Sequence, residues 1–533
     1  MNSTVGMDTE LLRNLSLHAS DWAVCALYMA VTLAVAIYAK FGNKDLSDYF
    51  LAGNKMPWFI AALSMSAAGF STVSFVGGPG EAYANGLLFQ AVSIFSLLLL
   101  PLAILLFLRT YFRAKKIFTV FEFLEERFDV KVRLLASGIS LLARIFSSGV
   151  ILYGAAQLLE GVAGWTPFYT VVILGSFVVL YSSLGGLRGV MLNDMIQAVT
   201  FNLVILVLLI HIIRITGVGP VEIWNYAAQH NHTFAKVVTA DFYVIDPRER
   251  ITLWTMLAIA LFSNLVHLST DQVQMQQLMA TGGYTKAVKA LWTRYLIALP
   301  LGFALAFCGL GLFYYYNQNP TALPQGQKLD ANHVLGYFVS TELPSPMPGL
   351  IIAGMLAAMM GSLAAGYMSM STMLVKDFIE RANRMPKFYS QQILVSRICT
   401  GFFGICGIAL AVFMQSAGKG VTDNLVEALT VWGTLWFTLV MVYLFGTQTK
   451  WMKARAIWYS MLIGIALNIG STWILFYNAD PSNRISFIWV GWPGFILTCL
   501  IAIVLNFIFE GAPRWSSKAE TSDKKIECVR SVK

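Results

Sequence analysis

Hydroxyl side chains are concentrated in one apolar stretch, Pro57 to Gln90, whose length and apolarity are otherwise typical of a membrane-spanning helix. The hydroxyls belong to Ser64, Ser66, Ser71, Thr72 and Ser74, with the small residues Ala67, Ala68 and Gly69 between them. The sequence Gly77 to Gly80 then predicts a break in the helical hydrogen bonds. In lipid a broken helix is tolerated where its freed backbone groups line a cavity or bind a ligand. The alternative is an intact helix with a small-residue packing face and a Gly-Pro turn at its end.

Charged side chains inside apolar runs are the second group of candidates, because charge is expensive within a membrane. Asp194 lies about one turn into its run, where it either has a functional role, or caps the helix end or pairs with Arg188. Arg144 is the one basic residue that the predicted topology assigns to a span. Its guanidinium either binds an anionic solute in a planar fork or pairs with a buried acid.

The run Thr270 to Thr281 (TDQVQMQQLMAT) is too polar to face lipid. Gln274 and its neighbours must therefore face protein or water, and Asp271 is expected at a helix break or beside a basic group. No phosphate-binding loop, catalytic carboxylate pair or metal-ligand cluster occurs in the sequence. The sequence therefore predicts neither an enzyme nor an ATP-driven pump.

The elements that must position these residues are membrane helices. The chain has 533 residues, 57% of them hydrophobic and 12% charged, whereas a soluble protein carries about 25% charged residues. About 13 runs are long enough to cross a bilayer, and they lie at 22–40, 57–80, 87–108, 134–163, 166–184, 190–213, 252–280, 287–316, 348–376, 390–416, 424–446, 454–477 and 486–510. The net charge of +9 reflects basic loops on the cytoplasmic side and does not predict a nucleic-acid partner.

The positive-inside rule places the N-terminus outside and the C-terminus in the cytoplasm. We expect an extracellular segment 1–21, a transporter domain 22–510 and a cytoplasmic tail 511–533, with an amphipathic helix over 118–127 on the inner surface. Two five-helix repeats are expected at about 57–213 and 252–446. The first helix of each is interrupted by polar residues, at Ala67–Ser74 and Ser263–Gln277, and such paired interruptions indicate a transporter site.

Five ordered stretches give the chain a family resemblance. They are DYFLAGNKMPWFIAALSMSAAGFSTVSFVG, TVFEFLEERF, LYSSLGGLRGVMLNDMIQ, TDQVQMQQLMAT and AAMMGSLAAGYMSMSTMLVKDF. In these the sequence resembles the sodium/solute symporters, which include sodium–glucose, iodide, multivitamin, monocarboxylate and sialic-acid carriers. The resemblance implies an all-α polytopic membrane protein with the LeuT-type inverted five-helix repeat and extra helices at both ends.

The resemblance also implies an ion site for Na⁺, made of oxygen ligands from Ala67, Phe70, Ala358 and Ser362. The family usually has two adjacent serines where this chain has Gly361 and Ser362, so one hydroxyl is missing. Members with a second sodium site use the aspartate that matches Asp194 and three serines, which here are Gly361, Ala364 and Ala365. We therefore expect no second ion of that type, and a gating or structural role for Asp194 and Asp271.

The nature of the solute follows from the same resemblance. Sugar carriers have Glu-Gln where this chain has Val73-Ser74, so a polyhydroxyl solute would lack partners. The chain is instead similar to sialic-acid and monocarboxylate carriers at Ser71, Ser74 and Arg144. The expected solute-binding residues are Ser71, Val73, Ser74, Gln90, Ser93, Arg144 and Gln274.

The sequence as a whole predicts a secondary transporter of the plasma membrane. It would import a small organic solute, expected to be a carboxylate-bearing anion, with Na⁺ by alternating access, and work as a monomer in the lipid bilayer. The alternatives are a transporter-like solute sensor or scaffold, a symporter for a neutral solute such as a sugar or polyol, and a channel.

Overall fold

In the computed structural model, the described residues are 17–70, 72–113, 117–323, 333–416, 433–478, 485–486 and 488–510. Every regular element in these ranges is a helix. The helices are α1 (Ala19–Lys40), α2 (Leu46–Leu51), α3 (Trp58–Gly69), α4 (Thr72–Asn85), α5 (Leu88–Phe112), α6 (Glu122–Arg127), α7 (Val130–Ala163), α8 (Pro167–Thr216), α9 (Pro220–Gln229), α10 (Leu253–Ser269), α11 (Gln272–Met279), α12 (Tyr284–Gln318), α13 (Val334–Glu342), α14 (Met347–Ile379), α15 (Tyr389–Ser416), α16 (Leu435–Gln448), α17 (Ala454–Phe476) and α18 (Gly491–Glu510).

The helices correspond to the apolar runs of the sequence. Within the described ranges nine helices are long and apolar enough to cross a membrane, and two bent pairs bring the number to 11. The 50 residues of α8 cover two of the predicted runs, and its backbone leaves helical geometry at Gly186 (φ 63°, ψ −171°). The shorter α16 covers part of run 424–446, whose first residues lie outside the described ranges.

The bent pairs lie where the sequence predicts paired interruptions. Helices α3 and α4 meet at 62°, and α10 and α11 meet at 55°. Both pairs pack on α14, the most deeply buried of the long helices, with 89% of its apolar window inside the protein. A helix that is apolar all round is expected in such a central position. The two breaks therefore lie in the interior of the bundle.

The sequence Gly77 to Gly80 does not break the helix, so that prediction is wrong. Helix α4 continues through it with Pro79 inside. A Cβ atom on Gly309 of α12 would lie 2.1 Å from the Pro79 carbonyl oxygen, so α12 passes very close to this turn. A proline in a membrane helix is tolerated where a neighbouring helix covers it. The break falls earlier, at Phe70, which has extended backbone (φ −94°, ψ 128°).

The predicted surface helix 118–127 is present as α6, shorter by its first four residues. A buried ion pair next to it joins Arg133 of α7 to Asp377 of α14, with Arg133 Nη2 at 2.6 Å from Asp377 Oδ1. The hydroxyls of Thr119 and Ser137 each donate to the same carboxylate at 2.7 Å. Arg133 Nη1 also pairs with Glu125 Oε2 of α6 at 2.8 Å, and this contact fixes the surface helix to the bundle. The side of the membrane on which it lies stays a prediction.

Candidate ion and solute site

The first helix break leaves backbone oxygen atoms without helical partners. Helix α3 ends at Gly69, and the amide of Phe70 donates to the carbonyl of Ala67 at 3.2 Å. The last carbonyls of a helix have no partner within the helix. Because Phe70 is extended, the chain turns away before α4 begins and these oxygen atoms face the neighbouring helix α14.

Ser362 of α14 lies against these oxygen atoms. Its Oγ is 3.0 Å from the carbonyl oxygens of both Ala68 and Phe70, and 3.3 Å from that of Ala358. A hydroxyl has one proton and can donate fully to one of the three. A cluster of oxygen atoms with so few protons fits a hard cation such as Na⁺.

The structure thus brings together three of the four residues predicted to bind Na⁺: Phe70, Ala358 and Ser362. The fourth, Ala67, uses its carbonyl to accept from the Phe70 amide, and no hydrogen bond from Ser362 reaches it. The neighbouring Ala68 carbonyl, which the sequence did not single out, lies beside Ser362 instead. The reason is the tight turn at the end of α3, which carries the oxygen of residue 68 toward α14.

A small cleft opens next to this cluster. Its walls come from α3, α8, α12 and α14. Its lining residues include Ala67, Phe70 and Ala358, together with Gln197, Phe201 and Leu301. The cluster of oxygen atoms is therefore reachable from a cavity and is not sealed in the protein core.

Asp194 is fully buried and does not pair with Arg188, which is exposed at the protein surface. The Ser64 hydroxyl donates to Asp194 Oδ2 at 2.6 Å, and the Gln277 amide lies 3.4 Å from the same oxygen. The carboxylate therefore links α8 to one half of each broken helix. Asp194 does not cap a helix end, because the helix continues on both sides of it. Its side-chain partners are Ser64 and Gln277, not Arg188.

Gly361 faces Asp194 at the position where the family usually has a serine. A Cβ atom here would lie 2.5 Å from Gln197 Oε1 and 3.4 Å from Asp194 Oδ1. The Gln197 side chain thus fills the space that a serine would take. Both polar atoms of Gln197 and Asp194 Oδ1 are buried without a hydrogen-bond partner among the described residues.

The second helix break contains a charged pair. Asp271 follows the end of α10 and caps α11, accepting from the Val273 amide at 3.0 Å. The same carboxylate oxygen forms an ion pair with Arg144 Nη2. The sequence left open whether Asp271 lies at a break or beside a basic group, and in the structure it does both. Arg144 also lies over the ring of Trp436, with its Cζ 5.3 Å from the ring centroid, a cation–π contact.

The other polar residues of the second break hold neighbouring elements together. Gln276 donates to the Phe50 carbonyl at 2.6 Å and to the Thr372 hydroxyl at 2.8 Å. Gln277 donates to the Ser64 hydroxyl at 2.8 Å. Gln274 differs, because its buried amide nitrogen has no partner among the described residues. It is therefore the residue of this run that is most available to a solute.

The structure does not bring the remaining residues that were predicted to bind the solute into one cluster. Ser74 is exposed on α4, and the Ser93 hydroxyl donates to the Gln90 carbonyl at 2.6 Å. The Gln90 amide lies against α12, 2.2 Å from where a Cβ on residue 302 would be. Ser71 lies outside the described residues, as does the side chain of Val73. The assignment of these residues to the solute stays a prediction.

Arg294 is a residue of this region that the sequence analysis missed. It lies within α12, about 15 Å from the first residue of that helix at 1.5 Å per residue. Arg144 is therefore not the one basic residue inside a span. The error came from counting residues 284–294 as a loop, although the apolar run 287–316 contains Arg294. A guanidinium without an acidic partner is costly within a membrane span, so Arg294 requires an explanation.

The guanidinium of Arg294 lies over the end of α3. Its Nη2 is 3.0 Å from the position that a Cβ on Gly69 would occupy. Its Nη1 is buried, and neither a hydrogen bond nor an ion pair joins Arg294 to another residue of the described ranges. His267, near the end of α10, interacts electrostatically with Arg294, Asp271 and Arg144. Two arginines, Arg144 and Arg294, and two aspartates, Asp271 and Asp194, therefore lie at the two breaks.

Comparison with known proteins agrees with this architecture. The sodium:solute symporter family matches residues 49–464. The sodium/sialic acid symporter NanT of Aliivibrio fischeri is 25% identical over 491 residues, which make up 91% of this chain and 92% of the relative. SiaT of Proteus mirabilis, also a sodium/sialic acid symporter, is 25% identical over 94% of this chain and 98% of its own.

A solved structure shows the same fold. It is the substrate-bound, outward-open state of a Na⁺-coupled sialic acid symporter, with a TM-score of 0.82 and 23% identity. The match covers 93% of this chain and 99% of that one.

Together, the helical bundle with two broken helices and the oxygen cluster define a multi-pass membrane transporter of the LeuT type. The chain belongs to the sodium:solute symporter family. The predicted fold, the coupling ion Na⁺ and the class of function, sodium-coupled transport of a small solute, are confirmed.

Proposed function

We propose that this protein imports a carboxylate-bearing solute together with Na⁺, with the N-terminus outside the cell and the chain acting as a monomer. Na⁺ binds at the first break, to the carbonyl oxygens of Ala68, Phe70 and Ala358 and to the hydroxyl of Ser362, with Ala67 beside them. The observation that carries the ion site is the position of Ser362 Oγ among three backbone oxygen atoms.

The pairing of charges around the breaks supports an anionic solute. Arg144 and Asp271 form an ion pair, and Asp194 accepts hydrogen bonds from Ser64 and Gln277, whereas Arg294 has no acidic partner among the described residues. A guanidinium without an acidic partner favours a carboxylate, which accepts hydrogen bonds from it. The two sialic acid symporters aligned over more than 90% of the chain point to the same chemistry.

Coupling follows from the position of Ser362, which joins α14 to the end of α3. Na⁺ bound there stabilises one arrangement of the broken helix against α14. A solute that binds the same arrangement more tightly shifts the population in the same direction, and each ligand then raises the affinity for the other. Movement of the broken helices relative to the rest of the bundle exposes the site on the other side.

The test is uptake into proteoliposomes that contain the purified full-length protein. We expect labelled sialic acid, and to a lesser degree the monocarboxylate pyruvate, to accumulate with an inward Na⁺ gradient. Accumulation should stop when K⁺ replaces Na⁺ or when an ionophore removes the gradient. Na⁺-dependent accumulation of glucose in preference to both acids would overturn the carboxylate assignment. Saturable binding without accumulation would identify a sensor, and non-saturable flux would identify a channel.

A further inference from the structure

Arg294 and the ion site share the same end of α3. The oxygen atoms beside Ser362 belong to Ala68 and Phe70, and the Arg294 guanidinium lies over Gly69, the residue between them. A cation bound at Ser362 and the charge on Arg294 would therefore lie at the same helix end. Arg294 is half-buried, and two positive charges in such a site repel each other more strongly than they would in water.

Arg144 has an acidic partner among the described residues, whereas Arg294 has none. Arg144 is paired with Asp271, and that pair has no net charge to offer a solute. Arg294 lacks any such acidic partner among the described residues, and one of its nitrogens is buried without a hydrogen bond. The positive charge that is available to an anion at the breaks therefore comes from Arg294.

We propose that the Arg294 guanidinium binds the carboxylate of the solute, and that this contact couples anion binding to Na⁺ binding. The inference rests on the proposed carboxylate transport. With the carboxylate bound, the charge of Arg294 is neutralised and its repulsion of the ion at Ser362 disappears. Na⁺ binding then strengthens, and by linkage Na⁺ strengthens anion binding to the same degree.

A simpler role for Arg294 predicts different behaviour. A cation at the C-terminal end of a helix also stabilises that end, because the last carbonyls carry partial negative charge. In that case removing Arg294 would loosen the end of α3 and weaken Na⁺ binding. In our proposal, removing Arg294 strengthens Na⁺ binding in the absence of solute. The two roles thus shift the Na⁺ affinity in opposite directions.

The experiment measures Na⁺ affinity of the purified full-length protein from Na⁺-dependent thermal stabilisation. Sialic acid and its methyl ester are the probes, and wild type is compared with Arg294→Gln and Arg294→Lys. The matched control is Arg397→Gln, since Arg397 also lies within a long helix, α15, and has one buried nitrogen without a partner. Uptake of sialic acid by the wild type is measured in parallel.

In the wild type, sialic acid should tighten Na⁺ binding and the ester should do so less. Arg294→Gln should bind Na⁺ at least about threefold more tightly without solute, because the repulsion is gone. Sialic acid should no longer tighten Na⁺ binding in this variant, and its affinity should fall about tenfold or more, while that of the ester changes little. Arg294→Lys keeps the charge, so its Na⁺ affinity should match the wild type while the acid binds less well.

Weaker Na⁺ binding in Arg294→Gln, or an unchanged effect of sialic acid, would overturn the inference and leave the proposed function intact. If Arg294→Gln lost affinity for sialic acid and for its methyl ester to the same degree, the inference would also be overturned while the proposed function stayed intact. A wild type that takes up neither sialic acid nor pyruvate with Na⁺ would overturn the proposed function and the inference with it. If Arg294→Gln does not fold, Arg294→Lys is the variant that tests the inference. The inference is then wrong if Arg294→Lys binds both sialic acid and its methyl ester as tightly as the wild type does.

Discussion

The two helix breaks have similar geometry and different chemistry. The bends are 62° and 55°, and both breaks face α14. At the first break, backbone oxygen atoms of Ala68 and Phe70 lie beside the hydroxyl of Ser362. At the second break Asp271 caps the new helix and is neutralised by Arg144. Backbone oxygen atoms that have no partner within their helix can bind a ligand, so the first break can respond to that ligand. The second break is held by interactions between its own side chains and serves as a fixed support.

The largest effect is expected from removing the support at the second break. Asp271→Asn leaves Arg144 as a buried charge without a partner. Breaking a buried pair in this way costs about 3–5 kcal/mol. We expect a large loss of thermal stability in detergent, measured by the unfolding temperature, whether or not Na⁺ is present.

Adding Arg144→Gln to Asp271→Asn should restore much of that stability, because no charge is then left unpaired. The control is Lys236→Ala, which removes an exposed pair with Glu249 at 3.2 Å and should change stability by less than about 1 kcal/mol. Loss of stability in Asp271→Asn no greater than in this control would show that the second break does not depend on the pair.

The next effect concerns the first break. Ser362→Ala removes the side-chain oxygen that lies 3.0 Å from the Phe70 carbonyl oxygen, and we expect Na⁺ affinity to fall about tenfold while expression is kept. Ser369→Ala is the matched control on α14, since its hydroxyl donates only to the Gly366 carbonyl of the same helix. The measurement is the Na⁺ concentration for half-maximal uptake. An unchanged value in Ser362→Ala would mean that the ion binds elsewhere.

A smaller effect is expected when a hydroxyl is added beside the first break. Gly361→Ser would restore the family's serine, but its Cβ would meet Gln197 Oε1 at 2.5 Å. We therefore expect no gain in Na⁺ affinity from Gly361→Ser alone. With Gln197→Ala to make room, Na⁺ affinity should rise about threefold, measured by the same uptake assay. Tighter Na⁺ binding in the single variant would show that Gln197 moves aside freely.

The smallest effect is expected at Asp194, which connects the two breaks through Ser64 and Gln277. Asp194→Asn keeps the shape and the hydrogen bond to Ser64, so turnover should fall only about two- to threefold. The number of charges moved per solute should not change, because we place no ion at Asp194. The check is charge measured together with solute flux, and a fall in their ratio would reveal a second ion.

The sequence was a reliable guide to features that depend on the hydropathy of a whole run of residues. Apolar runs predict membrane helices because lipid excludes unpaired backbone groups, and polar interruptions within such runs predict the two breaks. The Ser362 hydroxyl followed from a resemblance that extends over most of the chain. The predicted helix break at Gly77 to Gly80 was wrong. The local propensity of these residues favours a break, but the close contact with α12 keeps the helix intact.

By itself, the sequence determined the helical membrane fold, the location of both broken helices and the family's ion chemistry. The tertiary structure alone decided that Arg144 pairs with Asp271, 127 residues away, and that Arg294 lies over the end of α3 beside the ion site. Hydropathy and motif spacing indicate which residues lie within a membrane span, but not which residues they contact there. The partner that neutralises a charge there is set by which helices pack together, and Arg294, which the count of loop charges had assigned to a loop, has no acidic partner among the described residues.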